Sequence, residues 1–203
     1  MTTTSSSVLV DAVGIQSLRS RAISRDVILV VGFALFTALA AQITIGLGFT
    51  PVPITGQTFA VLVSGSVLGW RRGALSQGVY WGMGLVGLPF YSGGDGGWSA
   101  GTGSTMGYLV GFIAAAALIG YLSERRGDRN YASSFSAMAM GTVVIYAFGA
   151  GWLAHNLQIP IATGDVNAIG YGVTPFLIGD LLKMLVAGAV APVAWAVIDR
   201  EKK

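Results

Sequence analysis

Two charged side chains stand out because they lie inside an apolar stretch near the end of the chain. Asp180 and Lys183 are three residues apart in segment 175–198, which is otherwise free of acidic and basic side chains. Residues at i and i+3 of an α-helix lie on one face, so the two can pair. A lone charge in a membrane costs roughly 2.5–3.5 kcal/mol on insertion scales, and such residues usually face a pathway or ligand site. The pair therefore predicts either a polar ligand site or a self-neutralising contact that holds the helix in place.

The same two residues do not form the machinery of an intramembrane enzyme. An aspartyl protease needs two carboxylates that share a proton, and Asp180 is the one acidic side chain inside a predicted span. A Ser–Lys dyad would need a serine beside Lys183, and that segment contains none. We therefore predict no enzymatic activity. A channel is a second alternative, for which one isolated pair in a glycine-rich bundle is weak evidence.

The composition of the chain shows why a charge inside a segment is unusual here. Of 203 residues, 53% are hydrophobic and 10% are charged, and the mean hydropathy is +0.68. A soluble domain has about 25% charged residues, which cover its core with a polar surface. The chain is therefore predicted to be a single-domain membrane protein. Because it has no Cys and one His, His155, we predict no disulfide, no metal site and no cofactor.

Six apolar segments can cross a hydrocarbon layer of about 30 Å, some with help from adjoining loops. The second and third are short, and we interpret them as tilted or recessed helices joined by a turn at Arg71-Arg72-Gly73. The prediction is an all-α membrane protein with six transmembrane helices, in segments 27–47, 57–70, 74–88, 106–122, 133–157 and 175–198.

The basic residues predict how these segments are oriented. Of the twelve Lys and Arg, all but Lys183 lie in parts of the chain that fall on one side of a six-helix layout. Because basic loops remain in the cytoplasm, we predict that the N and C termini are cytoplasmic. The basic isoelectric point, about 9.4, then needs no nucleic-acid partner. The predicted organisation is a cytoplasmic tail at 1–26, a membrane domain at 27–198 and a cytoplasmic tail at 199–203.

Two further patterns indicate binding surfaces. The connection 90–108 mixes aromatic residues with glycines, which permit sharp turns and close approach to a ligand. We interpret it as a lid over a ligand or as a linker with interfacial aromatic anchors. Ala34 and Ala38 form a small-xxx-small pair on the first helix, which permits close helix contact. That strip predicts either a partner-binding surface or internal packing.

Several motifs, in their order and spacing, resemble the BioY family, the biotin-specific substrate-capture (S) components of energy-coupling factor (ECF) transporters. The resemblance covers about 27–198. It departs from the family in the glycine-rich loop, where residues 103–108 read Gly-Ser-Thr-Met-Gly-Tyr instead of Gly-Pro-Thr-Gly-Gly-Tyr, and this alters the expected pocket shape. The motifs that carry the resemblance are Pro51–Leu62, Leu68–Leu75, Gly87–Phe90, Gly107–Phe112 and Gly179–Lys183.

The resemblance implies a six-helix S-component fold that binds biotin on its outer side, in the cytoplasmic (inner) membrane of a prokaryote. It implies association with a transmembrane coupling subunit, which Ala34 and Ala38 would contact, and with two cytosolic ATPase subunits. The sequence has no P-loop, which agrees with energy supplied by partners. An S component for another vitamin is the main alternative within this class.

The chemistry of biotin then assigns expected ligand contacts. Biotin has a polar ureido ring, an apolar bicycle and a carboxylate on a flexible tail, so its site needs a few polar groups in an apolar cleft. Asp180 would accept from the ureido N–H groups, and Lys183 would donate to the ureido carbonyl in preference to the tail carboxylate. The other expected contacts are polar ones from Gln57, Ser92 and Tyr108, and ring packing from Tyr80 and Trp98.

Overall fold

A computed structural model describes residues 8–12 and 22–201, which include the whole predicted membrane domain. The remainder of the predicted tail 1–26, and residues 202 and 203, lie outside the described residues. The described chain is mainly helical, with one two-stranded β pair, β1 (Thr44–Ile45) and β2 (Ile54–Thr55). The helices are α1 (Leu9–Ala12), α2 (Ala22–Ala41), α3 (Gln57–Leu68), α4 (Trp70–Leu85), α5 (Trp98–Gly101), α6 (Met106–Leu122), α7 (Tyr131–Leu157), α8 (Ala168–Gly172) and α9 (Leu177–Glu201).

Four helical stretches in the described part are long and apolar enough to cross a membrane. They are Ile23–Ala41, Met106–Arg125, Tyr131–Leu157 and Ala168–Arg200. The helices α3 and α4 have 12 and 16 residues, so at 1.5 Å per residue they are about 18 and 24 Å long. The prediction of an all-α, multi-pass membrane protein is confirmed, and the second and third apolar segments are short, as their sequences indicated.

The first long helix ends earlier than its hydropathy predicted. Helix α2 stops at Ala41, whereas the apolar segment continued to residue 47. The reason is that Thr44 and Ile45 pair in antiparallel register with Thr55 and Ile54. A short apolar run fits a strand as well as a helix, and hydropathy alone does not separate the two. The β pair ties together the two ends of the connection between α2 and α3.

The turn between α3 and α4 is also not where the sequence predicted it. It lies at Gly69, and Arg71, Arg72 and Gly73 belong to the first turn of α4. Gly69 has φ 82°, a left-handed conformation that glycine adopts without the steric cost of a Cβ atom. A Cβ atom at Gly120 of α6 would overlap the backbone of Gly69 and Trp70. Two glycines therefore let α6 cross the turn at backbone contact.

Ion pairs explain how Arg72 can occupy the first turn of α4. Arg72 lies 3.1 Å from the carboxylate of Asp11 and 2.8 Å from that of Asp26. Asp11 also contacts Arg25 at 2.7 Å. These contacts link α1, α2 and α4 at the end of the bundle opposite the one where α3 and α9 begin. Because its charge is matched there, Arg72 continues the helix instead of breaking it.

The small residues on α2 pack inward. Ala34 and Ala38 are 1% and 7% exposed and belong to the main hydrophobic core, which also contains Val61, Leu109 and Ile145. This burial favours internal packing, which was named as the alternative to a partner-binding strip at Ala34 and Ala38. A different face of α2 is exposed and apolar, with Ile28, Leu35 and Leu39.

Candidate functional site

A cavity of about 440 Å³ lies at the end of the bundle where α3, α6 and α9 begin. Its walls come from the first turns of these helices, the middle of α7, and the loops 46–53 and 91–105. A volume of this size is typical of small-molecule sites, which measure about 300–1,000 Å³. Of the residues predicted to bind a ligand, the structure brings five to this wall: Gln57, Ser92, Tyr108, Asp180 and Lys183.

Asp180 and Lys183 form the ion pair that their spacing predicted, with Lys183 Nζ 2.6 Å from Asp180 Oδ1. Thr58 bridges them: its hydroxyl accepts from Lys183 Nζ at 2.9 Å and donates to Asp180 Oδ1 at 3.0 Å. The hydroxyl of Tyr146 donates a hydrogen bond to Asp180 Oδ2 at 2.6 Å. Asp180 is 4% exposed, so these three donors replace the water that it lacks.

The hydrogen bonds within this cluster define what remains for a ligand. A carboxylate has about four lone-pair sites and an ammonium group has three N–H donors. Asp180 Oδ1 is filled by Thr58 and Lys183, whereas Oδ2 receives only Tyr146 and can accept one more bond. Lys183 donates to Asp180 and Thr58 and keeps one N–H. The cluster thus offers one acceptor and one donor side by side, which complements the N–H and C=O groups of a cyclic urea or amide.

Sequence reasoning missed Thr58 and Tyr146, although both touch the ion pair. Thr58 belongs to the first turn of α3 and Tyr146 to the middle of α7, so the fold brings three helices to one carboxylate. The available signal was a hydroxyl group at the start of one apolar helix and a hydroxyl-bearing ring within another. Neither signal indicates its partner, because the partner lies on a different helix.

Gln57 is held at the cavity wall by a buried tyrosine behind it. Its amide nitrogen donates to the hydroxyl oxygen of Tyr80 at 2.6 Å, and its amide oxygen accepts from Thr55 at 3.2 Å. Tyr80 is fully buried and stacks on Phe90, with ring centroids 6.4 Å apart. Tyr80 therefore orients Gln57 and does not line the cavity, whereas the sequence placed it against the ligand ring.

The remaining predicted residues occupy different positions relative to the cavity. Tyr108 lines it with its ring, while its hydroxyl donates to the carbonyl of Gly172 at 2.7 Å. Ser92 also lines it, and its hydroxyl lies 2.6 Å from that of Thr44 in β1. Trp98, at the start of α5, is 72% exposed and lies outside the wall.

Two indole groups fix the glycine-rich loop over the cavity. Trp81 of α4 donates to the carbonyl of Gly101 at 3.0 Å, and Trp152 of α7 donates to the carbonyl of Gly103 at 2.8 Å. Both acceptors are backbone groups of the connection that leads into α6. The loop is therefore an ordered part of the cavity wall that is attached to two helices.

Comparisons with known proteins identify relatives of this chain. The BioY family model matches residues 7–200. A protein from Rhizobium etli named "Biotin transporter BioY" is 39% identical over 172 residues, which cover 81% of this chain and 89% of that protein. A protein of the same name from Rhodobacter capsulatus is 37% identical over 169 residues, covering 75% and 87% of the two chains.

A solved structure has a similar fold. It is the crystal structure, at 2.1 Å, of the S-component for biotin from an ECF-type ABC transporter. Its TM-score is 0.73 at 25% identity, and the match covers 83% of this chain and 89% of that one. Fold and cavity thus define a membrane transport protein of the S-component class rather than an enzyme. Within that class, the chain belongs to the BioY family, as the sequence motifs indicated.

Proposed function

We propose that this protein captures biotin at the outer side of the membrane for uptake, as the substrate-binding subunit of an ECF-type ABC transporter. The names of its relatives, and the similarity of its fold to an S-component for biotin, support biotin as the ligand. The observation that carries the proposal is the free acceptor on Asp180 beside the free donor on Lys183. A ureido group supplies one N–H and one C=O at matching positions.

The rest of the cavity suits the other parts of the ligand. Phe112, Leu109 and Val52 provide apolar wall for the bicycle. Gln57 and Ser92 provide polar groups further along the wall. A mostly apolar cleft with few convergent polar groups is the usual form of a small-molecule site.

We further propose six membrane crossings, with α3 and α4 completing the four long spans. The distribution of basic residues supports cytoplasmic termini, because the connections 48–56, 89–105 and 158–174 contain no Lys or Arg. With this orientation the cavity opens toward the outside of the inner membrane of a prokaryote. Loops can complete a short span when other helices shield their backbone groups from lipid.

A transmembrane coupling subunit and two cytosolic ATPases are the proposed partners. Because Ala34 and Ala38 are buried, we assign the coupling contact to the exposed face of α2 instead. Leu35 and Leu39 lie on this face and are 46% and 70% exposed. A large apolar surface of this kind packs against lipid or against another membrane helix.

Calorimetric titration of the purified protein with biotin tests the site. Asp180→Asn and Lys183→Met should each weaken binding by at least about tenfold, because a hydrogen bond to a charged group is worth about 1.5–3 kcal/mol. The double variant should fold at least as well as the less stable single variant, because it leaves no unpaired buried charge. It should still fail to bind, since the ureido group then meets no charged partner.

Asp26→Asn is the matched control, because it makes the same chemical change in an ion pair far from the cavity. Asp26 lies 2.8 Å from Arg72 with a side chain that is 45% exposed. This variant should bind biotin as the native protein does. Near-native affinity in the folded Asp180→Asn, Lys183→Met double variant would exclude the pair from the site.

A further inference from the structure

The charged groups around the cavity do not include a cation for the tail of the ligand. Among the described residues that line it, three are charged: Asp95, Asp180 and Lys183. Lys183 is held by Asp180 at 2.6 Å and by Thr58 at 2.9 Å, so its charge is already matched. The formal charges of these three side chains sum to −1.

The approach to the cavity carries the same sign of charge. The connections 42–56, 86–105 and 158–176 contain two acidic residues, Asp95 and Asp165, and no Lys or Arg. Both acidic side chains are exposed. Charges of one sign at the mouth of a cleft disfavour the approach of a ligand with the same sign. This end of the protein therefore offers no electrostatic attraction to a free carboxylate.

The polar groups near the loop end of the cavity are neutral donors. They include the hydroxyls of Ser99, Ser104 and Thr105. Such donors bond to the carbonyl oxygen of an amide as readily as to a carboxylate oxygen. A carboxylate, in addition, must lose part of its hydration without gaining a cation, which is unfavourable.

The loop end of the cavity is also open. Asp95, Ser99 and Gly48 line the cavity and are themselves exposed to solvent. A substituent attached beyond the tail can therefore extend outward at this end while the ureido head remains at Asp180 and Lys183. Both charge and space at the tail end thus permit a neutral, extended group.

We infer that the site also accepts biotin derivatives whose tail carboxylate is converted to a neutral amide, such as biotinamide and amides with small amines. This inference rests on the proposed function and extends its substrate class. Recognition is concentrated on the ureido head, where the charged pair lies. The tail of the ligand contacts neutral hydrogen-bond donors, which bind a carboxylate and an amide carbonyl alike.

Calorimetric titration of the full-length protein in detergent, at low ionic strength, with biotin and with biotinamide tests this inference. The two dissociation constants should lie within tenfold of each other. Asp95→Asn should tighten biotin binding by about two- to fourfold, as expected for removal of one like charge about 10 Å away in a largely aqueous path. The same substitution should leave biotinamide binding unchanged, since that ligand has no net charge.

Asp165→Asn is the matched control, because it removes an exposed acid at the same end that does not line the cavity. It should change neither dissociation constant. Biotinamide binding more than tenfold weaker than biotin binding would overturn the inference. So would an Asp95→Asn variant that leaves biotin unchanged or shifts both ligands equally. Failure of both ligands to bind the folded native protein would instead refute the proposed function, and this inference with it.

Discussion

The Tyr146→Phe substitution removes one hydroxyl group and should change two quantities in opposite directions: the stability of the ligand-free protein and its affinity for biotin. Tyr146 supplies the one donor to Asp180 Oδ2, at 2.6 Å, while Oδ1 keeps Thr58 and Lys183. A hydrogen bond to a charged group contributes about 1.5–3 kcal/mol. Because Asp180 is 4% exposed, little water can replace the lost donor. The free energy of unfolding of the ligand-free variant should therefore fall by about this amount.

Affinity should respond in the opposite direction. In the native protein a ureido N–H is the second donor to Asp180 Oδ2, whereas in the Tyr146→Phe variant it is the first. The first hydrogen bond to a buried charged oxygen is worth more than the second, because it removes the larger desolvation penalty. The dissociation constant for biotin should therefore stay the same or decrease, and ligand should raise the melting temperature more than in the native protein.

Chemical denaturation in mixed micelles, followed by tryptophan fluorescence, gives the stability, and calorimetric titration gives the affinity. Tyr131→Phe is the matched control, because its hydroxyl donates to the carbonyl of Leu185 at 3.2 Å in an exposed contact. It should alter neither quantity appreciably. A tenfold or greater loss of biotin affinity in Tyr146→Phe would refute this account and assign Tyr146 a direct ligand contact.

Three further predictions concern orientation, packing and pH. A cysteine introduced at Ser92 should react with a membrane-impermeant thiol reagent in intact cells and one at Asn130 should not; external labelling of Asn130 would contradict cytoplasmic termini. Ala34→Trp should reduce the yield of folded protein and biotin binding together, because Ala34 is 1% exposed; normal binding would place it on a surface. Burial raises the pKa of the Asp128 carboxyl group, which accepts a hydrogen bond from Trp195 Nε1 at 2.8 Å. The folded protein therefore binds this proton more tightly than the unfolded chain does. The resulting stabilisation of the fold is full below the unfolded pKa and is lost as pH rises through the folded pKa. Asp128→Asn should therefore flatten the decline of the melting temperature between acidic and neutral pH, and an unchanged pH profile would contradict this.

The ion pair was predictable because its two members are neighbours in sequence. Asp180 and Lys183 lie one helical turn apart, and local spacing decides their contact. Thr58 is 122 residues from Asp180 and Tyr146 is 34 residues from it. Contacts of this kind depend on which helices pack together, which a single sequence does not state. The sequence therefore identified the charged centre of the site but not its two hydroxyl donors.

Two features of the fold could not be predicted because they depend on contacts between helices. Arg71 and Arg72 looked like a turn because hydropathy counts charges without their partners, whereas Asp11 and Asp26 neutralise Arg72 from other helices. The small-residue strip at Ala34 left a partner surface and internal packing both open, because α2 is apolar on every side and its pattern does not show which face turns inward. Charge pairing and helix orientation depend on contacts between distant residues, so the local sequence pattern does not predict them.

The short α4 has a consequence for the lipid around the protein. At 16 residues it is about 24 Å long, compared with about 30 Å of hydrocarbon, and its first turn carries Arg71 and Arg72. Leu75 and Met83 are 60% and 41% exposed, so lipid chains would meet this helix directly in the proposed six-crossing layout. As one of the proposed crossings, α4 would require either that loops complete its span or that the bilayer beside it thins, at a cost of fractions of a kcal/mol per ångström of mismatch. A membrane partner whose adjoining helix is equally short would reduce the area of deformed bilayer when it binds at this side. Hydrophobic mismatch would then favour association of the two proteins along α4.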